Sequence, residues 1–206
     1  MSTVEIEEGS GKTCRPTGAR AEAREQAILD AALELLMEVG YDRLSMDALA
    51  ERARAGKATI YRRWNGKAQV VAEAIRRRKG QHDTDHDTGS LRGDLVAALA
   101  NTCTALTLDE AVVSGVMTAM RTDPELAALM RAQVTNSGGK FDGLVARAVA
   151  RGELPAGSTA EPINEVAPSM IMMRLTLRGE PLDDAFTIHL VDDILLPILK
   201  PTTVSM

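Results

Sequence analysis

Apolar residues recur along most of this chain at spacings of three and four, the interval that lines one face of an α-helix. From Arg24 to Val39 the series Ile28, Leu29, Ala32, Leu35, Leu36 and Val39 predicts a helix with one buried stripe. Gly40 ends it, because glycine takes a left-handed cap without a Cβ penalty. Ser45 is placed to cap a short second helix reaching about Ala53, with Met46, Leu49 and Ala50 turned inward. A break at Arg54 to Lys57 leads to a third helix, Ala58 to Trp64. Asn65-Gly66 interrupts again, and Lys67 to Lys79 forms a longer fourth. Gly80 to Ser90 is polar and turn-rich, a boundary. Beyond it, helices are predicted at about 91–107, 109–120, 124–151, 161–178 and 183–199, and Ser137-Gly138-Gly139 is placed to split the third of these.

Composition supports helices throughout. Five rings in 206 residues is too few for a strand-rich fold, whereas Ala, Leu and Met are abundant. The expected architecture is all-α: a three-helix head over residues 21–80 and a larger helical body over 81–206, preceded by an unstructured arm over 1–20. No run of eighteen apolar residues is present to cross a membrane, and the acidic first ten residues lack the order of a secretory signal, so a cytoplasmic protein is expected. Cys14 and Cys103 are then expected to stay reduced. The net charge of −5 conceals a split. Residues 12–80 carry fifteen Lys/Arg against nine Asp/Glu, while residues 81–206 carry nine against seventeen. A basic head on an acidic body fits a protein that meets a polyanion at one end only.

Three short helices, the second and third joined by a tight turn, make a helix-turn-helix. Its third helix must turn one face to the core and offer the other to the major groove of double-stranded DNA. Ile60 and Trp64, four apart, take the inner face; Lys57, Ala58, Tyr61 and Arg62 point outward, supplying small, hydroxyl and cationic groups for base edges and phosphates. The run from Ile28 to Ile75 resembles the N-terminal domain of the TetR family of bacterial repressors. The resemblance is carried by Gly40-Tyr41, by Ser45 to Ala50, and above all by Thr59-Ile60-Tyr61-Arg62 with Trp64 and Lys67. A weaker resemblance covers Gly179 to Phe186 and Val191 to Pro197. It implies that Ser45 caps helix two and touches a phosphate, that Lys57, Ala58, Thr59, Tyr61 and Arg62 supply base or phosphate contacts, and that Lys67 clamps a phosphate. Two departures stand out. Arg54-Ala55-Gly56 replaces the usual Gly-Val-Ser turn, and Arg63-Trp64 replaces the usual His-Phe, adding charge expected to strengthen salt-dependent binding. The Arg76 to Lys79 run fits either a solvated helix end or a DNA contact.

For the body, the resemblance implies a homodimer through the last two helices and a small-molecule effector site. The apolar positions Ile163, Val166, Met170, Met173, Leu177, Leu190, Ile194, Leu195 and Ile198 suit such a bundle, and equally suit a monomer's own core. Methionine is the visible clue to a pocket, since thioethers fill adaptable cavities. Cys103, Met117, Met120, Phe141, Met170 and Met173 are the candidate effector-binding residues, and with so few rings, methionine and aliphatic side chains are expected to line most of the site around an apolar effector. His82 and His86 with their neighbouring aspartates read as a solvated loop, not a metal site. No cofactor, metal or catalytic constellation is expected. The sequence reading is therefore a DNA-binding regulator, with a metal-sensing or enzymatic body carrying an accessory head as the alternative.

Overall fold

The computed structural model describes residues 17–81, 86–136, 139 and 141–199. Helix α1, Thr17–Arg43, is kinked at Gly40, whose φ of 76° lies in the left-handed region. Thr17 to Arg20 belong to this helix, so they are not part of an unstructured arm; Met1 to Pro16, Cys14 among them, lie outside the described residues. Then come α2, Met46–Arg52, and α3, Lys57–Tyr61, which is shorter than the predicted Ala58 to Trp64 and closes in a turn where Trp64 N–H donates to the Ile60 carbonyl. Helix α4 is Lys67–Gln81.

The body holds α5, Leu91–Leu108, and α6, Glu110–Ala119. The predicted 124–151 helix is two, α7, Pro124–Asn136, and α8, Asp142–Ala150, divided at the glycine-containing segment. Helix α9, Glu161–Met172, runs into π turns over Met173–Arg178 that stop at Gly179, where φ is 61°. Helix α10, Asp184–His189, passes through a second π segment, Leu190–Leu195, into α11, Leu196–Leu199. Among the described residues no strand occurs.

Among the described residues, two apolar clusters hold the helices together. The first packs Leu29, Leu36, Leu49, Ile60 and Trp64 of the head, and it is completed by Val112, Val116 and Ala119 of α6 and Leu126 of α7. Gly115 faces Leu36 across this contact, where a Cβ would sit at an ordinary van der Waals distance of 3.6 Å from Leu36 Cδ1. A small head cannot exclude water from both faces of α1, so α6 and α7 supply its second wall. The other cluster joins α5, α8, α9 and α10 to α11 around Leu99, Phe141, Ile163, Ile171, Leu190 and Leu195. Each such aliphatic side chain contributes about 1.5–3 kcal/mol by leaving water.

Candidate nucleic-acid interface and effector cavity

The turn between α2 and α3 sets the reading helix. Ser45 Oγ accepts from Ala48 N–H at 3.1 Å, capping α2. At the other end, Ala55 N–H donates to the Ala50 carbonyl and Arg54 N–H to that of Glu51, a Schellman closure. That closure needs a left-handed residue, and Arg54 fills the place with φ of 48°. Gly56 then begins α3 with no side-chain cap. Ile60 and Trp64 are buried, which turns Tyr61 outward at 50% exposure, beside exposed Lys57, Ala58 and Arg62 and half-buried Thr59. Lys57 Nζ reaches back 2.7 Å to Asp47 Oδ1 on α2.

Lys67 sits differently from its neighbours. Its ammonium donates to the Tyr41 carbonyl at 2.8 Å and lies 4.3 Å from the centre of the Tyr41 ring, so it is held at the negative end of α1. The Tyr41 hydroxyl in turn donates to Asp123 Oδ2 at 2.5 Å, across the head-to-body seam. Burial first, then this carboxylate, pushes the phenol well above its ordinary value, while the Tyr41 hydroxyl and Leu126 N–H hold Asp123 below the usual carboxylate range. The Arg63 guanidinium, still largely exposed, is paired with Glu25 at 2.7 Å.

Between head and body lies a cavity of about 680 Å³. Leu33 of α1 and Ile75 of α4 form one wall, and Leu99, Leu106, Val112 and Phe141 form much of the rest. Ile171 and Met172 close the α9 side. Arg78 and Lys79, on the last turns of α4, meet its rim, where Arg78 makes a bidentate pair with Asp109 at 2.6 and 2.9 Å. Glu161, Asn164 and Glu165 line the opposite edge. Of the six predicted effector residues, Phe141 alone faces this space. Cys103 is buried in the body core, where Thr187 Oγ1 lies 3.9 Å from its Sγ. Met120 packs against the head cluster and Met170 against the body cluster, while Met117 and Met173 are about half exposed on the surface. Aliphatic side chains form part of the wall beside several polar and charged ones, and the methionine among the lining residues is Met172.

The sequence of residues 28–74 matches the family model described as bacterial regulatory proteins, tetR family, and residues 85–194 match that of the tetracyclin repressor-like C-terminal domain. The chain is 41% identical over 186 residues to a DNA-binding transcriptional repressor, TetR, of Mycobacteroides abscessus, covering 89% of this chain and 97% of that one. This chain belongs to the TetR family of DNA-binding transcriptional repressors. An uncharacterized HTH-type transcriptional regulator of Mycobacterium tuberculosis is 32% identical over 181 residues, with 87% of this chain and 90% of that one covered. Among solved structures, a TetR family transcription regulator superposes with a TM-score of 0.69 at 23% identity, covering 85% and 97% of the two chains. The transcriptional regulator FadR from Bacillus subtilis, solved in complex with stearoyl-CoA, gives 0.60 at 17% identity, covering 82% and 98%.

What residue reading missed in this TetR-family protein is the contribution of α1 and α4 to the cavity. A signal was present: Leu33 and Ile75 widen the apolar faces of α1 and α4, so they pack with the head cluster and also reach the cavity, and a helix with a wide apolar face has two neighbours. His86 lies in the segment read as a solvated loop, and its carbonyl accepts from Arg147 Nη2 at 2.7 Å; His82 lies outside the described residues.

Proposed function

We propose that this protein is a homodimeric repressor that leaves a palindromic operator when a small apolar molecule occupies the cavity between α4 and the body. The carrying observation is the cavity's composition. Leu33, Ile75, Arg78 and Lys79 come from the head and the remaining wall from the body, so an occupant that fits one arrangement of the two better than another shifts the population toward it. The exposed faces of α3 and Ser45 are the surface we assign to DNA, Ala58 allowing close approach, Tyr61 and Thr59 offering hydroxyls, and Lys57 and Arg62 charge. Lys67 serves this surface indirectly, fixing the start of α4 against α1, or by exchanging the Tyr41 carbonyl for a phosphate. The stearoyl-CoA bound to the Bacillus subtilis relative supports an effector with a long apolar part.

Gel-shift titration on the duplex upstream of the protein's own gene tests the reading. Tyr61→Ala should weaken specific binding by about tenfold or more, the cost of one base-reading contact; unchanged affinity would remove α3's outer face from the interface. Ala105→Trp, which places an indole in the cavity wall, should abolish uptake of the apolar fluorophore anilinonaphthalene sulfonate.

A further inference from the structure

We propose that the carboxylate of Glu25 is the joint through which the last turns of α4 govern the reading helix. Glu25 is on α1 and is only 8% exposed. Its Oε1 accepts from Arg63 Nη2 at 2.7 Å and from Arg77 Nη2 as well, so one buried oxygen serves two guanidiniums from two different elements. Arg63 stands two residues beyond Tyr61, next to the buried Trp64 that anchors α3. Arg77 is on α4, where it also touches Glu73 at 3.3 Å and Gln26 Oε1 at 3.5 Å. The next residue, Arg78, grips Asp109 and lines the cavity. Successive residues of a helix point about 100° apart, so one turn of α4 holds the head with Arg77 and the body with Arg78.

The physical consequence is competition. Two cations share one acceptor: the carboxylate is buried, while Arg63 is largely exposed and Arg77 keeps Glu73 as a second partner, so what their sharing sets is the geometry of each arm. A rotation of α4 that draws Arg77 away gives Oε1 wholly to Arg63; one that presses it closer loosens Arg63 and the turn that carries Trp64. Arg63 is therefore a positioning residue in this assignment. It is held on the α1 side and sets the angle of α3, and it does not itself meet a phosphate. This goes beyond the proposed function and rests on that reading only in taking α3's outer face as the DNA surface.

The test uses the full chain and a duplex that the wild-type protein has enriched from a random pool, with a scrambled duplex as reference, by fluorescence anisotropy across a potassium chloride series. Glu25→Gln and Arg63→Gln should each weaken the enriched duplex by about tenfold and leave the scrambled one unchanged, whereas Arg77→Gln, which gives Oε1 wholly to Arg63, should tighten the enriched duplex by about twofold or more, an effect that disappears when it is combined with Arg63→Gln. The salt slope should not change, and Arg63→Lys should restore part of the loss. Tyr61→Ala, run in parallel, reports separately on the reading face. The proposal is overturned if Arg63→Gln lowers the salt slope by about one and weakens both duplexes alike, which marks a phosphate contact. It is also overturned if Arg77→Gln has no effect, since Glu25 and Arg63 would then form a local pair without connection to α4. Arg63 and Arg77 are themselves partly exposed, so their variants test the joint even if Glu25→Gln folds poorly.

Discussion

Arg54 sits where the chain needs a left-handed residue, and an L side chain there costs about 1–2 kcal/mol relative to glycine. The Schellman hydrogen bonds from Arg54 and Ala55 hold it in place, and Gly56, displaced from the position where it would be useful, leaves α3 without a side-chain cap. Arg54→Gly should therefore raise stability by about 1 kcal/mol, a gain of roughly 2–4 °C in Tm by thermal circular dichroism. Gly56→Ser should add a few tenths of a kcal/mol more, since the nearest atom to a new Cβ there is Thr59 Oγ1 at 3.9 Å. A melting temperature unchanged in Arg54→Gly would mean that the turn is relaxed as it stands. The Lys57 to Asp47 pair, by contrast, is exposed on both sides and worth little, so Lys57 can exchange Asp47 for a phosphate at small cost.

At the scale of elements, the junction of α5 and α8 carries the buried charge of the body. Asp94 has no exposed surface, and burial alone would raise its pKa; Thr88 N–H at 2.6 Å, the Thr88 hydroxyl at 2.8 Å and Arg151 at 3.1 Å outweigh that and hold it below the usual range. Glu153 is held low as well, by Leu91 N–H and then by Arg151. Carboxylates with depressed folded values contribute stability that is complete above their unfolded values, near 4, and is lost as pH falls through the lower folded ones. Denaturant unfolding should accordingly show a steady decline in stability below about pH 4, and Asp94→Ala should cost about 3 kcal/mol at neutral pH and flatten that decline. Retention of the full acid slope in Asp94→Ala would place it elsewhere, in Glu73 or Asp192 for instance, whose Arg76 and Arg92 partners also hold them low.

For the whole molecule, the outer side of the last helices is the feature still to be covered. Ile163, Leu190 and Leu195 are spent on the monomer's own core, but Leu177 is 78% exposed, and Met173, Ile188 and Ile198 are each more than two-fifths exposed. One helix pair thus serves the core with one face and leaves another free, which fits the proposed dimer. Leu177→Asp should yield monomers in sedimentation velocity and lose operator binding, because a single head offers half the contacts. A dimer persisting in that variant would move the interface away from the π-wound segment. Tyr41, through Asp123, and Arg78, through Asp109, fasten the head to the body at the two ends of the α6 region, contacts through which the proposed cavity occupant would act on the head.

Helical periodicity, the Ser45 cap, the breaks at Gly40 and Pro124 and the inward turn of Ile60 and Trp64 were all legible in the chain, because each depends on residues within about one helical turn. The charge split between head and body was legible too, since it needs only counting. The cavity between head and body was not: its wall is made by Leu33, Ile75, Val112 and Ile171 from four helices and by Phe141 just before α8, whose mutual approach no local spacing encodes. Methionine content pointed to the wrong side chains for the same reason, flexibility being a property of the residue and enclosure a property of its neighbours. Arg63 shows the division most sharply. Its sequence position showed only an added charge near the groove, and the tertiary structure, which sets the turn after α3 against α1, was needed to pair it with buried Glu25.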